Sequence, residues 1–371
     1  MEEAGALGAA ETTPETRAAE QVEEVADEKA WPSPEWEVVE PGEAGLDAAA
    51  LDAMAATAEA AGSECLVVTK DGEIVGEWYW NGFAVDTERE VFSVTKSITS
   101  TLVGIAQDRG LLDIDDPASD YIEAWQGTPS EDVTIRNLVF NDSGRFQDFP
   151  TDYIQMASQA EDKTGFSIGL AQQHEPGTTW VYNNAAIQTL DEVLEVATGV
   201  PTAEFAEEAL FEPLGMSTTI KRDAAGNTLT FMGAQASCRD LARFGLLFLR
   251  GGEWGGEQIV SAEWVAEATA PSQELNEGYG FLWWLNRPAS SAVATGAAGS
   301  SVGPGSEATG ETYAAIGLFN QLVGVYPDSG IVATRLGAER GPEGGVFGLG
   351  DLSAGVVQVL DDDLATDESA G

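Results

Sequence analysis

A serine and a lysine three residues apart have the clearest capacity for chemistry in this chain. Ser93 and Lys96 stand in the segment VFSVTKS, residues 91–97. Serine is a weak nucleophile at neutral pH unless a base accepts its proton, and lysine can be that base when burial lowers its pKa. Residues three apart on a helix lie one turn apart on the same face. The spacing predicts a nucleophile and its base, although the same pair on a helix surface would do no chemistry.

The residues that follow Ser93 have the periodicity of an α-helix. Val94, Ile98, Leu102 and Ile105 recur at spacings of three and four, with serines and threonines between them. Ser93 would therefore begin a helix. Free N–H groups and the positive end of the helix dipole at that position stabilise a developing anion.

Other elements must hold this helix in place. The pattern before it predicts a helix over 47–60 and two strands, 65–69 and 74–80, around an Asp-Gly turn. Residues 137–180 are expected to be helical and irregular and to form a lid. Further helices are predicted at about 185–197, 240–250, 262–268 and 350–360, and further strands at 313–318, 322–326 and 331–336.

The charge of the chain is extreme. Its 371 residues include 63 acidic and 17 basic side chains, for a formal charge of −46, and the acidic residues occur throughout. At about 1 M salt the screening length is about 3 Å, so repulsion between such charges largely disappears. We predict a salt-adapted protein; an ordinary acidic protein with disordered ends is the alternative. Without a basic patch, nucleic acid and anionic membranes are not expected partners.

The two ends of the chain and its two cysteines indicate the limits of the folded domain and whether a disulfide stabilises it. Residues 1–35 are rich in Glu, Ala, Thr and Pro and are predicted to be a disordered acidic leader, and residues 363–371 an acidic tail. The start of the chain lacks the features of a signal peptide, so either an intracellular protein or a mature exported form is expected. No apolar run is long enough to predict a transmembrane segment. Cys65 and Cys238 could pair, but two buried thiols are predicted.

Some motifs match catalytic signatures without their context. Gly299–Gly303 has the form Gly-x-Ser-x-Gly around Ser301, but no strand-turn-helix pattern surrounds it and no histidine follows it. The stretch 289–310 around it is rich in Gly, Ser and Ala and is predicted to be a surface loop. The single histidine, His174, is predicted to be structural. The acidic run Asp113–Asp116 lacks the pattern of a calcium loop and is predicted to be a turn and helix cap.

Several segments in this order resemble the serine β-lactamase-like superfamily, which includes class C β-lactamases, DD-peptidases, esterases and 6-aminohexanoate-dimer hydrolases. The resemblance extends from about residue 45 to 337. It is carried by FSVTKS, GLLDIDDP, the run from EPG to YNN, DLARFG and YGFLWW, at residues 92–97, 110–117, 175–184, 240–245 and 279–284. It implies an α+β fold over residues 36–362, an antiparallel sheet flanked by helices with a mostly helical domain inserted at about 110–270. The active site would lie in the cleft between the two parts.

The resemblance also implies a role for each residue of the site. Ser93 would be the acylated nucleophile, Lys96 its base, and Tyr182 would relay a proton to the leaving group. Asn184 would hold Lys96 or the substrate, and the backbone N–H groups of Ser93 and Gln321 would form the oxyanion hole. A nearby lysine cation would favour the tyrosine phenolate, so the pair could move one proton without a histidine. No metal or organic cofactor is implied.

One element of the family departs from its usual form. The Lys-Thr-Gly or His-x-Gly segment beside the serine is best matched by Gly317–Gln321, with Leu318 where a lysine or histidine often stands. A literal Lys-Thr-Gly at 163–165 precedes Tyr182 and is predicted to be a coincidence. Without a cation at Leu318, the site lacks an anchor for the carboxylate of β-lactams and D-Ala-D-Ala peptides.

The sequence therefore predicts a serine hydrolase that cleaves an ester or amide through an acyl-Ser93 intermediate, most similar to the esterase and 6-aminohexanoate-dimer hydrolase branch. A β-lactamase or penicillin-binding DD-peptidase-type enzyme is one alternative, and a non-catalytic binding protein on the same fold is another. The expected partner is a small ester, amide or lactam, and no oligomeric state is indicated. Four aromatic residues are candidates either for the lining of the site or for the core: Tyr153, Trp180, Phe281 and Trp283.

Overall fold

Eleven strands are present in the computed structural model, which describes residues 31–32, 35–271, 273–286 and 311–360. In chain order they are β1 Ser63–Lys70, β2 Glu73–Tyr79, β3 Arg89–Glu90, β4 Thr219–Ile220, β5 Ala234–Ala236, β6 Glu253–Trp254, β7 Glu257–Gln258, β8 Trp284–Leu285, β9 Tyr313–Gly317, β10 Gln321–Tyr326 and β11 Ile331–Gly337. Six of them form an antiparallel sheet in the order β2-β1-β11-β10-β9-β8. The predicted strands at both ends of the chain are confirmed to within about two residues.

Most of the helices lie between β2 and β8 in the chain. The α-helices are α1 Ala48–Ala60, α2 Val94–Asp108, α3 Ile135–Phe140, α4 Lys163–Ile168, α5 Asn184–Gln188, α6 Leu190–Thr198, α7 Thr202–Ala206, α8 Glu212–Leu214, α9 Cys238–Leu249, α10 Ala262–Ala268 and α11 Leu349–Leu360. Residues Pro150–Gln159 and Glu207–Phe211 are π-helical. Short 3₁₀ turns are present at Ala118–Asp120, Glu123–Trp125 and Pro327–Ser329. The helix predicted at 185–197 is two helices, α5 and α6, which meet at Thr189.

The two faces of the large sheet pack against different helices. Successive side chains of a strand point to opposite faces. Leu66 and Val68 of β1 face a cluster that includes residues of α1 and α11. Val67 of β1 and Val332 of β11 face the other cluster, which contains residues of α2 and α9. The fold is therefore α+β, as predicted, with α2 on the inner face of the sheet.

Helix α2 is buried on all sides over Val94–Ala106. Two of the hydroxyls between its apolar positions donate to backbone carbonyls of neighbouring elements: Ser97 to Leu282 at 2.7 Å, and Thr99 to Thr230 at 2.8 Å. Buried polar groups must find such partners, because leaving them unpaired is costly. The serines and threonines thus tie α2 to its surroundings and hold its N-terminal end in place.

Cys65 and Cys238 form a disulfide, with their Cα atoms 6.4 Å apart, so the prediction of two buried thiols is wrong. Cys65 lies in β1, and Cys238 is the first residue of α9, which packs on the neighbouring strand β11. The Thr334 hydroxyl of β11 donates to the Cys238 carbonyl at 3.1 Å. The sheet brings together residues 173 positions apart, a proximity that the spacing of the cysteines in the sequence did not indicate.

Three predicted segments fall outside the described residues. They are residues 1–30 of the acidic leader, the loop 289–310 with Ser301, and the acidic tail 363–371. Within the part of the chain that the structure describes, no helix is both long and apolar enough to cross a membrane.

Candidate active site

Ser93 and Lys96 are in direct contact at the N-terminal end of α2. The Ser93 side chain makes no capping hydrogen bond to the helix. It accepts one from Lys96 Nζ at 2.9 Å instead. Lys96 Nζ also donates to the carbonyl oxygen of Phe231 at 2.7 Å. The predicted juxtaposition of serine and lysine is therefore present.

Burial of Lys96 changes its acid-base behaviour. The side chain is 1% exposed. Burial lowers the pKa of Lys96 to about 7, because the charged ammonium is poorly solvated there, and the negative charge of Asp152 acts in the opposite direction. A lysine with such a pKa is neutral in a large fraction of molecules near pH 7. In its neutral form it can accept a proton from the serine that it contacts.

Tyr182 also contacts Ser93. Its hydroxyl forms a hydrogen bond with Ser93, and Lys96 Nζ lies over its ring, 4.9 Å from the centroid. Burial raises the pKa of Tyr182 above that of a free phenol, and Lys96 does not offset this effect. The expectation that the lysine favours a phenolate is therefore wrong for this geometry. Tyr182 is a neutral phenol that can donate a proton.

Asn184 contacts a carboxylate rather than Lys96. Its Nδ2 donates to Asp152 Oδ2 at 2.7 Å. Tyr153 also forms a hydrogen bond with Asn184. Asp152 belongs to the π-helical segment Pro150–Gln159 and is buried. No motif in the sequence singled out this aspartate, and no signal there would have found it.

The end of β9 lies against the segment that precedes the nucleophile. A Cβ atom on Gly317 would collide with the carbonyl oxygen of Val91, so only glycine fits this approach. The turn after Gly317 contacts the same segment, because the ring of Phe319 meets that of Phe92 edge-on at 5.4 Å. Phe92 has a φ of 47°. A positive φ in a bulky residue is strained, and here it directs the chain into Ser93.

The side chains of Gln321 and Arg335 hold the turn after β9 through hydrogen bonds to its carbonyl oxygens. The Gln321 side chain donates to the carbonyls of Leu318, Phe319 and Gly337 and accepts from the Gly337 N–H. Arg335 is fully buried and donates to the carbonyls of Phe319 and Asn320 at 2.7 and 2.9 Å. The Gln321 side chain is thus engaged in structure. Arg335 was missed, although a lone arginine in the apolar strand IVATRLG was a visible signal.

Comparison with known proteins identifies the family. A family model described as Beta-lactamase matches residues 48–352, most of the chain. The chain belongs to the Beta-lactamase family. This is a family of hydrolases with the serine β-lactamase fold. The relatives of this chain include proteins named 6-aminohexanoate-dimer hydrolase, β-lactamase and putative D-alanyl-D-alanine carboxypeptidase.

Individual members of the Beta-lactamase family are only distantly similar. A 6-aminohexanoate-dimer hydrolase of Paenarthrobacter ureafaciens is 28% identical over 238 residues, which cover 59% of this chain and 60% of that relative's length. A β-lactamase of Pseudomonas fluorescens is 30% identical over 135 residues, covering 35% of this chain and 36% of the relative. A solved penicillin-binding protein homologue from Caulobacter crescentus has a TM-score of 0.63 at 16% identity and covers 85% of this chain and 97% of its own. At that identity the structure shows a shared fold alone.

Exposed apolar side chains lie on the two segments next to the site of this Beta-lactamase-family protein. On the helical side, Phe149 is 50% exposed and stacks on Tyr153, with ring centroids 4.9 Å apart. Ile154, in the same segment, is 43% exposed. On the sheet side, Leu318 is 54% exposed beside Phe319. We call these residues the apolar rim: Phe149, Tyr153, Ile154, Leu318 and Phe319.

The four aromatic candidates for the lining divide into two pairs. Phe281 and Trp283 are fully buried and belong to the core. Tyr153 and Trp180 are partly buried near the site, where Trp180 meets Tyr279 edge-on at 5.4 Å.

Two other predicted features lie elsewhere. Lys163, Thr164 and Gly165 begin helix α4, so they do not form the strand element of the family. His174 is exposed, and its backbone N–H donates to the Gly144 carbonyl.

Proposed function

We propose that this protein is a serine hydrolase that cleaves an ester or amide bond through an acyl-Ser93 intermediate. The contact between Lys96 Nζ and Ser93 Oγ carries this proposal, since it joins a nucleophile to a base whose pKa is lowered to about 7. A lysine in water would be protonated at neutral pH and unable to accept the serine proton. Burial of Lys96 makes the pair competent.

Formation and hydrolysis of the acyl-Ser93 intermediate use the same three side chains: Ser93, Lys96 and Tyr182. Ser93 Oγ attacks the carbonyl carbon while its proton passes to Lys96 Nζ, and a tetrahedral intermediate forms. When the bond to the leaving group breaks, the Tyr182 hydroxyl gives its proton to the leaving alkoxide or amine, and Lys96 returns its proton to Tyr182. Water then attacks the acyl-Ser93 ester, its proton passes through the same groups to Ser93 Oγ, and the carboxylic acid leaves.

The oxyanion of each tetrahedral intermediate needs two donors. Ser93 N–H at the start of α2 is the first. The second comes from the turn after β9, where the sequence suggested the N–H of Gln321. Leu318 N–H is the stronger candidate, because it directly follows Gly317, which is in contact with Val91. Among the hydrogen bonds within the described ranges, neither Ser93 N–H nor Leu318 N–H has a protein acceptor.

The apolar rim supports a neutral substrate. A carboxylate-bearing substrate, such as a β-lactam, gains most from a cation, and Leu318 supplies apolar surface where the family often has one. The net charge of −46 also disfavours the approach of anions. We therefore favour a neutral ester or amide, and the name of the relative 6-aminohexanoate-dimer hydrolase supports cleavage of a linear amide bond. β-Lactamase or DD-peptidase activity is the second candidate, supported by the relatives that bear those names.

Mass spectrometry of the intact protein tests the nucleophile. Wild type and Ser93→Ala would be incubated in molar salt with a fluorophosphonate and, separately, with a p-nitrophenyl ester. We expect the wild type to gain the mass of one phosphonyl group, mapped to Ser93 by peptide analysis, and the variant to remain unlabelled. Ser97→Ala, one turn further along α2, is the matched control and should still be labelled. Absence of labelling in the folded wild type would favour a non-catalytic binding protein.

Substrate preference separates the two enzymatic candidates. Turnover of p-nitrophenyl esters or linear amides without rapid hydrolysis of nitrocefin would support the first. Rapid nitrocefin hydrolysis that is lost in Ser93→Ala would support the β-lactamase alternative instead.

A further inference from the structure

Asp152 is surrounded by hydrogen-bond donors from the segment that carries Tyr182 and Asn184. Its Oδ2 accepts from Asn184 Nδ2 at 2.7 Å and from Asn184 N–H at 3.3 Å. Its Oδ1 accepts from Ala185 N–H at 2.8 Å. The side chain is 1% exposed. These three bonds join the π-helical segment Pro150–Gln159 to the start of α5.

The carboxylate determines which way the Asn184 amide points. An ionised carboxylate only accepts hydrogen bonds, so it selects the NH₂ group of the amide and excludes the carbonyl oxygen. Asn184 Oδ1 must then point away from Asp152. Tyr153 also bonds with this side chain, and Lys96 Nζ donates to Ser93 and Phe231. Of the two roles that the family resemblance implies for this asparagine, the one that fits this arrangement is contact with an N–H group of the substrate.

Asp152 also acts on Lys96 through its charge. Its negative charge favours the protonated ammonium and partly offsets the effect of burial on the Lys96 pKa. The same burial raises the pKa of Asp152, and the donors from Asn184 and Ala185 oppose that rise. The titratable or reactive groups around Lys96 and Tyr182, taken over the elements that pack there, are Ser93, Asp152, Tyr153 and Tyr279. Asp152 is the carboxylate among these four groups.

We propose that Asp152 is a positioning residue, which holds the Asn184 amide in one orientation beside the reacting groups and places a negative charge near Lys96. This inference rests on the function proposed above. It assigns to a residue outside the serine, lysine and tyrosine set a control over both the geometry and the pH range of the reaction.

The rate of Ser93 labelling by a fluorophosphonate, measured as a function of pH, tests this role. In the wild type the rate should rise with pH as Lys96 loses its proton. In Asp152→Asn the loss of the negative charge makes that proton easier to lose, so the rise should move to lower pH by about one pH unit. The maximal rate should fall about tenfold or more, because the Asn184 amide is no longer fixed by a charge-assisted hydrogen bond.

Two further variants separate charge from orientation. Asn184→Ala keeps the carboxylate and removes the amide. The maximal labelling rate should therefore fall, while the pH at which the rate rises should stay that of the wild type. Asp191→Asn is the matched control: Asp191 is also buried, but its carboxylate accepts from Thr164 rather than from a group of the site. Its pH profile should equal that of the wild type. If Asp152→Asn does not fold, the smaller neutral variant Asp152→Ser replaces it. In that variant too, the labelling rate should begin to rise at a lower pH than in the wild type.

The outcomes distinguish this inference from the proposed function. A wild type that is not labelled would contradict the function. A labelled wild type whose pH profile is unchanged in Asp152→Asn would overturn the role of Asp152 alone. The role of Asp152 would also be overturned if the pH at which the labelling rate rises fell equally in Asn184→Ala and Asp152→Asn. The effect would then not depend on the charge of Asp152.

Discussion

Lys96 donates its hydrogen bonds to a hydroxyl and a carbonyl, two neutral groups, in a position where it is almost inaccessible to water. Such an environment is costly for an ammonium ion, and that cost is why Lys96 can be neutral, and so accept a proton, near pH 7. Tyr182 shows the same physics with the opposite result, since burial disfavours its charged form and keeps it protonated. One buried environment thus yields a neutral amine and a neutral phenol, which is the pair that proton transfer requires.

The lowered pKa of Lys96 predicts how activity depends on pH. The base must be neutral, so below its pKa the protonated lysine cannot accept from Ser93. With the pKa at about 7, labelling of Ser93 should be slow in acid, reach half its maximal rate near pH 7 and be constant above it. Lys96→Arg should lose activity by about 10²-fold or more at all pH values, because arginine stays protonated.

Stopped-time labelling followed by intact-protein mass spectrometry would measure this profile. Thermal unfolding of Lys96→Arg would verify that the variant is folded. A half-maximal rate near the pH at which an ordinary lysine titrates would contradict the role of burial.

The sequence was sufficient for some residues of the site and insufficient for others. Ser93 and Lys96 were predictable, because helical periodicity places residues three apart in contact. Asp152 was not, because its contact with Asn184 depends on how two distant segments pack. The state of Tyr182 was predicted wrongly, since proximity to a lysine suggested a phenolate and only the structure shows how deeply the ring is buried.

At the scale of elements, α2 and the turn after β9 form the framework of the site. Local patterns predicted both, since α2 has a clear apolar periodicity and β9 to β11 are apolar runs separated by turns. What the pattern did not reveal is that the serine and threonine faces of α2 are buried as well. A hydroxyl on a helix looks the same in sequence whether it contacts water or a neighbouring carbonyl. The disulfide was missed for a related reason, because it depends on the packing of α9 against the sheet.

The disulfide should contribute substantially to stability. It links residues separated by 173 positions, and closing a long loop removes entropy mainly from the unfolded chain. The expected loss on removing it is about 2 to 5 kcal/mol. We predict that Cys65→Ala/Cys238→Ala unfolds at a lower denaturant concentration than the wild type.

Alkylation of the denatured wild type, with and without reductant, would measure the state of the cysteines directly. Alkylation of both thiols without reductant would contradict the disulfide. The wild type in reducing buffer should behave like the double variant, which separates loss of the bond from any effect of the alanines.

The whole molecule is dominated by negative charge. Within the described part of the chain, Glu192 illustrates the crowding: burial raises its pKa first, and the neighbouring charges of Glu195 and Asp162 raise it further. Repulsion of this kind, summed over a net charge of −46, destabilises the compact state at low ionic strength. Composition alone predicts this property, since it depends on the number of charges more than on their positions.

We therefore expect stability to increase with salt. The midpoint of thermal unfolding should rise clearly between about 0.1 M and 1 M sodium chloride, over which the screening length falls from about 10 Å to about 3 Å. Sucrose at matched osmolality is the control, because it does not screen charge and should give a smaller increase. An unfolding midpoint that is the same in dilute and molar salt would contradict salt adaptation.

The position of the disulfide has a consequence for the integrity of the chain. Between Cys65 and Cys238 lie all five residues of the candidate site: Ser93, Lys96, Asp152, Tyr182 and Asn184. A peptide bond cut anywhere in this interval therefore leaves two pieces that remain one covalent molecule. The helices within this interval can be nicked, or opened to create new chain ends, without either piece being lost to dilution. The same bond that links β1 to α9 thus makes this part of the protein a place where breaks and insertions can be tolerated while the proposed catalytic groups stay together.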